Sequence, residues 1–461
     1  MSHELSDPLL EWLYSLSGPS LKWDIDTASA FTRWLGHPQR GFASVHIAGT
    51  NGKGSVAAHL SAIARASGLR VGLFTSPHLV RPEERVRLDE HDIDSALFRR
   101  FIERLRDEAS RAMAAEAVPR HPSFFEMMTA VAMLAFEHHR VDVGVFETGL
   151  GGRLDATNIL TPHLAVVTTI SRDHQKTLGR SLTAIAREKA GIIKPGIPVL
   201  AGWIGAAPLE VLRHVARERG APFHDAAREL SLQPTADGGF DLATPLASYR
   251  GLCSALEGDH QRRNAALAVR AAELLRTRGI GFHDGAIREG LTRVRWAGRL
   301  ERISGSPRFL LDAAHNAEGA KALGKYLERH DRAHGRPRRR AVVFGLTEGR
   351  RAGSMIRPIA GFVDRIVVTR PATSRAQPPS RVAAELDGAV DSRRVILVPQ
   401  LAEALERAAA AAGPAGEVLV TGSLYLVGGA RQILIGLAGP GAPRHERVPT
   451  LERARSKRTA G

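Results

Sequence analysis

The feature that most constrains the fold is a glycine-rich turn between a short apolar run and a helical segment. Residues 48–55 read AGTNGKGS, with a strand-like run at 44–48 before them and a helical pattern at 55–66 after them. Glycines let backbone N–H groups converge on phosphate oxygens, the helix adds its positive N-terminal end, and Lys53 adds a mobile charge. The turn predicts a nucleotide phosphate site, with these residues as its ligands: Gly49, Thr50, Asn51, Gly52, Lys53, Gly54 and Ser55.

The spacing of this turn departs from the usual phosphate loop, G-x-x-x-x-G-K-[ST]. Position 47 is Ile, and Gly54 stands between Lys53 and the serine. A tight strand-to-helix turn without a ligand is the structural alternative. A dinucleotide fold would need G-x-G-x-x-G, but position 57 is Ala, so that interpretation is set aside.

Apolar runs and helical patterns alternate along the rest of the chain. The β-branched runs at 141–147 and 164–170 are typical of strands buried on both faces, and a helical pattern at 124–138 precedes the first. This order predicts an α/β fold with a mostly parallel sheet. Further predicted strands are 197–201, 309–312, 341–344, 365–369, 395–398 and 417–421, with helices at 317–330 and 401–411.

The chain has 461 residues, more than one hydrophobic core usually supports, so two domains are expected. We expect a nucleotide-binding domain at 1–298 and a smaller α/β domain at 299–440. The segment 441–461 is rich in Pro, Gly, Arg and Lys and is predicted to be a disordered basic tail.

Composition narrows the function. The net charge of +16 is compatible with nucleic-acid binding, with an arginine-rich solvated surface, or with attraction of polyanionic small substrates. With 5% aromatic residues and no recognised nucleic-acid motif, the last two are favoured. No apolar run is long enough to span a membrane, and no secretion signal is recognised. The single cysteine, Cys253, predicts a reducing cytoplasm and is expected to be a buried small side chain.

Eight motifs occur in an order that carries a family resemblance. The phosphate turn is followed by 75–79, 147–159, 173–179, 188–194, 296–301, 312–316 and 421–431, which read TSPHL, ETGLGGRLDATNI, DHQKTLG, EKAGIIK, WAGRLE, DAAHN and TGSLYLVGGAR. Across about 25–431 the chain resembles the bacterial dihydrofolate synthase/folylpolyglutamate synthase enzymes of the Mur ligase superfamily. The resemblance implies a phosphate-loop-containing Mur-ligase-like domain and a Rossmann-like, glutamate-ligase-like C-terminal domain.

The resemblance also implies a reaction. ATP phosphorylates the carboxylate of dihydropteroate or a tetrahydrofolate, and the amine of L-glutamate then displaces phosphate. One Mg²⁺ would be held by Ser76, Glu147 and His174. A second would be bound through Lys189 after its carbamylation by CO₂. Lys53, Lys189 and His315 are the residues to which the resemblance assigns catalytic roles.

The remaining site residues also come from the resemblance. Asn264 would contact adenine, while Arg299, Asp312 and His315 would reach ATP from the second domain. The family's usual glycine is Ala313 here. The folate-type substrate would be held by two groups of residues: Ser123, Phe124, Phe125 and Glu126, and Arg153, Leu154, Asp155 and Ala156. The alternative for the two phenylalanines is helix core.

One segment departs from the family pattern. The loop 345–350 lacks the acidic G-x-x-x-DKD sequence, which leaves the detailed binding of glutamate or ATP open. A Mur-type ligase acting on another acid is disfavoured because few residues precede the phosphate turn. A basic nucleic-acid-binding NTPase is the alternative from a different class. We expect a cytoplasmic monomer with small-molecule substrates and neither a nucleic-acid nor a membrane partner.

Overall fold

The computed structural model describes residues 7–17 and 24–437. The predicted tail at 441–461 lies outside the described residues. The chain divides into two compact units. The first contains Met1–Ala255 and His260–Arg295, and the second contains Leu256–Asp259 and the chain from Trp296 onward.

A mostly parallel sheet forms the centre of the first unit. Its strands are β1 (Ala43–Ala48), β2 (Val71–Phe74), β3 (Val86–Leu88), β4 (His91–Asp92), β5 (Val143–Glu147), β6 (Leu164–Val167), β7 (Val199–Ala201) and β8 (Phe223–Asp225). They lie in the order β4-β3-β2-β5-β1-β6-β7-β8, and only β3 and β4 run antiparallel to their neighbours. The carboxyl ends of β1, β2, β5 and β6 therefore meet at one edge, where ligands bind in open α/β sheets.

Eleven helices in the described part of the chain connect or cover these strands. They are α1 (Pro8–Ser15), α2 (Asp26–Trp34), α3 (Lys53–Ala66), α4 (Ser95–Ala114), α5 (Phe124–His138), α6 (Gln175–Leu178), α7 (Leu182–Ala190), α8 (Ala206–Glu218), α9 (Ala226–Glu229), α10 (Asp259–Arg276) and α11 (Asp284–Arg293). A small antiparallel sheet contains β9 (Ser231–Pro234), β10 (Phe240–Ala243) and β11 (Ser248–Leu252).

The core of the first unit lies on both sides of the main sheet's strands. Phe136 of α5 packs edge-on against Phe146 of β5 with ring centroids 5.2 Å apart, and Phe74 of β2 joins them. A second cluster includes Val167, Ile185 and other buried side chains of β6, α7, β7 and α8. Buried Val, Ile and Phe on successive strand positions explain why these segments read as continuous apolar runs.

The second unit is built around a six-stranded sheet. Its elements are β12 (Glu301–Ile303), β13 (Arg308–Asp312), α12 (Ala317–His334), β14 (Arg340–Phe344), α13 (Ala352–Ile356), β15 (Arg365–Val368), α14 (Pro379–Leu386), β16 (Val395–Leu397), α15 (Leu401–Ala412), β17 (Glu417–Thr421) and α16 (Leu424–Leu437). The strand order is β12-β13-β17-β14-β15-β16, with β12 the only antiparallel strand.

A buried ion network stabilises this second sheet. The Arg340 side chain is 0% exposed; it donates from Nε to Glu417 at 2.7 Å and forms a fork with Asp331 at 2.7 and 2.9 Å. A buried guanidinium is tolerated when its donors are paired in this way, and removing one partner of such a group is costly. The network fixes the start of β14 against β17.

The predicted α/β class with a mostly parallel sheet is confirmed. The expected strand 164–170 ends early, at Val167, because the following threonines turn towards the phosphate loop. The expectation that Cys253 is buried is wrong, since the residue is exposed just after β11. Within the described residues, no helix is both long and apolar enough to cross a membrane.

Candidate active site

The phosphate turn is a close-packed loop between β1 and α3. Gly49 has φ 154°, and a Cβ built there would lie 1.9 Å from the Thr168 hydroxyl. Gly52 has φ 86°, and its Cβ would lie 2.6 Å from Oδ1 of Asn264. These glycines are required by close approach as well as by backbone conformation. Lys53 is the first residue of α3, so its side chain lies beside the N–H groups of the helix's first turn, which have no partner within the helix.

Hydroxyl groups after β6 hold the phosphate loop in place. Thr168 and Thr169 donate to the Asn51 carbonyl at 2.7 and 3.0 Å, and Asn51 N–H donates back to the Thr169 hydroxyl. Thr50 is linked to Ser171 by hydrogen bonds in both directions. This bracing preorganises the loop, which reduces the entropic cost of binding a phosphate chain.

Two predicted metal ligands meet at the ends of β2 and β5. Glu147 is 5% exposed, accepts the Ser76 N–H at 3.2 Å, and lies 3.6 Å from Lys53 Nζ. The Ser76 hydroxyl is buried and makes no hydrogen bond with the described residues. An uncommitted hydroxyl beside a carboxylate forms an oxygen set of the kind Mg²⁺ prefers, so the residues present fit this ion.

His174, the third predicted ligand, is in a different local setting. It has φ 49° just before α6, is exposed, and its Nε2 lies 3.7 Å from the Asp173 carboxylate. Across the described residues, no three His, Cys, Asp or Glu side chains converge as a metal-binding group. The structure brings Ser76 and Glu147 together, and the role of His174 as the third ligand stays a prediction.

Lys189 reaches the phosphate loop from α7. Its side chain is buried, with the residue 3% exposed, and its ammonium donates to the Gly49 carbonyl at 2.8 Å. Burial, reinforced by the nearby charge of Lys53, lowers the pKa of Lys189 from 10.5 to about 7. A substantial fraction of this amine is therefore neutral and nucleophilic near neutral pH.

Asn264 lies beside the loop on α10. Its Nδ2 donates to Gln261 Oε1 at 3.0 Å, and Gln261 Nε2 donates to the Ser55 hydroxyl at 3.2 Å. His59 donates to the Ser55 carbonyl from Nδ1 at 2.7 Å, and burial lowers the pKa of His59 to about 4, so its ring stays neutral. The sequence pointed to Asn264, whereas Gln261 was missed because a glutamine in a helix carries no distinguishing local signal.

The site residues predicted in the second unit lie at the carboxyl end of β13. Asp312 is buried, and its carboxylate accepts the N–H groups of Leu300 and Ala314 at 3.1 and 3.0 Å. His315 bonds through Nδ1 to the Ala313 carbonyl at 3.0 Å, which directs its second nitrogen away from that contact. Arg299 donates to the adjacent Gly298 carbonyl at 3.4 Å.

Ser123 and Glu126 form a capping box at the start of α5. The Glu126 carboxylate accepts the Ser123 N–H at 2.7 Å, and the Ser123 hydroxyl accepts the Glu126 N–H. The same carboxylate forms a two-bond fork with Arg120 at 2.7 and 3.0 Å. The acid that sequence analysis assigned to a heterocycle edge is therefore already engaged, and Arg120 is the residue that sequence analysis missed.

Phe124 and Phe125 point to different partners. Phe124 stacks on Tyr14 of α1 with centroids 5.3 Å apart, and the Arg85 guanidinium lies 5.0 Å from the same ring. The Phe125 ring covers Gly149, where a Cβ would come within 2.5 Å. Tyr14 and Arg85 were not predicted, because only folding brings these distant segments to α5.

The loop at 153–156 combines an exposed cation with a buried acid. Arg153 pairs with Glu188 at 2.9 Å on the surface. Asp155 is buried and accepts from Leu150 N–H at 2.8 Å and from the Thr157 hydroxyl. Burial raises the pKa of Asp155. Leu154 is half-buried and Ala156 is buried, so this group shapes the turn after β5.

The loop 345–350, whose sequence differs from the family pattern, is hydrogen-bonded to other residues of the second unit. Gln377 is buried and donates to the carbonyls of Thr347 and Arg350, both at 2.8 Å. Thr347 also bridges Ala376. These contacts fix the backbone path of the loop within the second unit.

Residues 298–424 match the family model of the Mur ligase, glutamate ligase domain. Dihydrofolate synthase/folylpolyglutamate synthase of Bacillus subtilis is 34% identical over 87% of this chain and 92% of its own length. The Mycobacterium tuberculosis protein of the same name is 36% identical over 88% of each.

Solved structures agree with this relationship. Folylpolyglutamate synthase of Mycobacterium tuberculosis, complexed with ADP, superposes with a TM-score of 0.83 at 31% identity, covering 92% of this chain and 98% of that one. E. coli FolC in complex with DHPP and ADP gives a TM-score of 0.82 at 28% identity, covering 94% and 98%. The chain therefore belongs to the dihydrofolate synthase/folylpolyglutamate synthase family of Mur ligases.

Proposed function

We propose that this protein is an ATP-dependent ligase that adds L-glutamate to dihydropteroate, to tetrahydrofolate polyglutamates, or to both. The observation that carries the proposal is the convergence of three groups at one sheet edge. The Lys189 ammonium donates to the Gly49 carbonyl at 2.8 Å. The Glu147 carboxylate lies 3.6 Å from Lys53 Nζ and accepts the backbone N–H of Ser76 at 3.2 Å. Phosphate-binding, cationic and oxygen-donor groups in one place suit phosphoryl transfer to a carboxylate.

The chemistry has two steps. A substrate carboxylate oxygen attacks the γ-phosphorus of ATP, and ADP leaves. The glutamate amine then attacks the acyl carbon, loses a proton, and phosphate departs. Backbone N–H groups at 49–55 and Lys53 would hold and orient the triphosphate. The solved relatives complexed with ADP support the use of ATP.

Magnesium is the proposed metal, with Ser76, Glu147 and His174 as its protein ligands. When bound, it would neutralise charge on the nucleotide and the acid as they approach each other. The uncommitted Ser76 hydroxyl beside the buried Glu147 carboxylate supports this assignment. His174, an exposed side chain beside the Asp173 carboxylate, would supply a nitrogen ligand.

Lys189 is the proposed carbamate. Its neutral amine would form an N–C bond to CO₂ and lose a proton, which converts a buried cation into an anion able to hold a second Mg²⁺. Its deep burial, its contact with Gly49 and its lowered pKa support this reaction. The modification replaces a buried ammonium by a buried anion, whose charge the second Mg²⁺ would compensate.

The substrate acid is proposed to bind near the start of α5. Phe125 and Leu154, both partly buried, would provide apolar surface, whereas Phe124 is in the core and already stacks on Tyr14. Because Glu126 is engaged by Arg120, it would act by shaping this surface unless the substrate displaces that arginine. This arrangement favours a flat heterocycle.

Residues of the second unit are proposed to act on ATP and glutamate. Asp312 and Arg299 would contact the nucleotide, and His315 would take the amine proton. We propose 1–298 and 299–440 as the functional domains. We also propose a cytoplasmic monomer without a nucleic-acid or membrane partner.

A substrate-panel phosphate-release assay tests the proposal. Purified protein with ATP, Mg²⁺ and glutamate should release phosphate when dihydropteroate or tetrahydrofolate is added. It should release none with UDP-sugar acids, the substrates expected of a different Mur-type ligase. Folded protein that hydrolyses ATP only with a UDP-sugar acid would contradict the proposal, and a Lys189→Ala variant with full activity would contradict the carbamate.

A further inference from the structure

A buried amide pair lies directly behind the phosphate loop. Gln261 is 1% exposed. Its Nε2 donates to the Ser55 hydroxyl at 3.2 Å, and its Oε1 accepts from Asn264 Nδ2 at 3.0 Å. Both ends of this amide are therefore committed, and its orientation is tied to the first turn of α3.

This arrangement fixes which atoms Asn264 can offer to a ligand. An asparagine amide has two N–H donors and one carbonyl acceptor. One donor is used by Gln261, so Oδ1 and the second N–H remain. Within residues 7–17 and 24–437, Oδ1 accepts no hydrogen bond, and it lies over Gly52, where a Cβ would come within 2.6 Å. The acceptor is thus presented at the loop.

The anchor for this orientation, Ser55, is itself buried and hydrogen-bonded. Ser55 is 2% exposed and lies in the first turn of α3. Its carbonyl accepts from His59 at 2.7 Å, while its hydroxyl accepts from Gln261. Rotation of the Gln261 amide would place two acceptors or two donors against each other unless the Ser55 hydroxyl and Asn264 both reoriented, which a buried network resists.

We propose that Gln261 is a positioning residue that makes the site selective for adenine nucleotides by holding the Asn264 amide in one orientation. The inference rests on the proposed function and on the role in adenine binding that the family resemblance implies for Asn264. Adenine presents a donor at N6 and an acceptor at N7, which match a carboxamide oxygen and N–H. Hypoxanthine carries an acceptor oxygen at position 6, which would face the Asn264 oxygen.

Calorimetric binding of ADP and inosine diphosphate to the full-length protein tests this role. Gln261→Met keeps the side-chain volume but removes both hydrogen bonds. It should weaken ADP binding about tenfold, as expected when a bidentate amide–base pair is lost, and change inosine diphosphate binding by less than about twofold. In an Asn264→Ala background, the same substitution should produce no further loss of ADP affinity.

A conservative variant separates positioning from packing. Gln261→Glu retains an acceptor for Asn264 Nδ2 but cannot donate to Ser55. It should preserve the ratio of ADP to inosine diphosphate affinity even though its charge weakens both. Equal losses for the two nucleotides in Gln261→Met, or additive losses in the double variant, would overturn the inference.

These binding measurements do not depend on glutamate ligation. If the protein binds ADP selectively but never releases phosphate with folates, the proposed function fails while the inference stands. If ligation occurs and the base preference is insensitive to Gln261, only the inference fails.

Discussion

Replacing Lys189 by methionine is expected to stabilise the metal-free protein at pH 7 while abolishing its activity. The ammonium is desolvated and lies near Lys53, so its pKa falls to about 7. Methionine occupies a similar volume without a charge. The substitution therefore removes the cost of burying a cation, together with the hydrogen bond to Gly49.

The magnitude follows from the pKa difference between the unfolded and folded states. The pKa of Lys189 is 10.5 in the unfolded chain and about 7 in the folded protein, and each pKa unit corresponds to about 1.4 kcal/mol. Burying this amine therefore lowers the free energy of unfolding by about 4 kcal/mol at pH 7 and by about 2 kcal/mol at pH 9. Loss of the bond to Gly49 leaves a buried carbonyl unpaired and costs about 1–3 kcal/mol. The free energy of unfolding of the variant should exceed that of the wild type by about 1–3 kcal/mol at pH 7 and should be about equal to it at pH 9.

The sign of the pH dependence is fixed by proton uptake. Between the folded pKa and the unfolded one, the unfolded chain binds more protons at Lys189, so wild-type stability relative to the variant rises with pH. Urea unfolding at several pH values, in EDTA and CO₂-free buffer without nucleotide, measures this difference. Lys321→Met, at an exposed position, is the matched control and should change stability by less than about 0.5 kcal/mol.

Bicarbonate provides the second half of the assay. Carbamylation requires the Lys189 amine, so bicarbonate should raise the unfolding midpoint of the wild type and leave Lys189→Met unchanged. A variant that is less stable than the wild type at pH 7, or a stability difference that is the same at pH 7 and pH 9, would refute the reasoning about burial.

Three further substitutions test separate parts of the structure. Gly49→Ala should destabilise the protein by about 1–3 kcal/mol in urea unfolding and abolish ADP binding by calorimetry, whereas Gly205→Ala, in open space, should do neither. Ser76→Ala should raise the Mg²⁺ concentration for half-maximal phosphate release without lowering the melting temperature, because the hydroxyl makes no hydrogen bond with the described residues. Arg340→Met should cost about 3–5 kcal/mol of unfolding free energy, while Arg393→Ala, at an exposed ion pair, should leave the unfolding free energy nearly unchanged.

The sheet and its functional edge could be predicted from sequence because their signals are local. The runs at 141–147 and 417–421 are rich in valine and predict buried strands, which the structure has at Val143–Glu147 and Glu417–Thr421, and the helix Phe124–His138 has the predicted bounds. The glycines at 49 and 52 are recognisable since a strand and a helix flank them. In each case the residues of one short segment are enough to predict its secondary structure.

The parts that could not be predicted depend on side chains that meet only after folding. Gln261 reaches Ser55 across more than two hundred positions, and Arg120 occupies the carboxylate of Glu126 that sequence analysis reserved for a ligand. The predicted strand 164–170 is longer than the observed strand Leu164–Val167, because its end also depends on contacts that form only on folding. A threonine is a good strand former, and only the loop opposite determines that it turns out of the sheet.

The net charge beside the phosphate loop depends on the chemical state of Lys189. Lys53 already pairs with Glu147, so this pair contributes almost no net charge to the site. Protonated Lys189 would add a cation beside the phosphates, favouring nucleotide binding but repelling magnesium. The same side chain as a carbamate would add an anion, repelling nucleotide unless metal is present. If Lys189 is carbamylated as proposed, we expect productive ATP binding to require the metal ion.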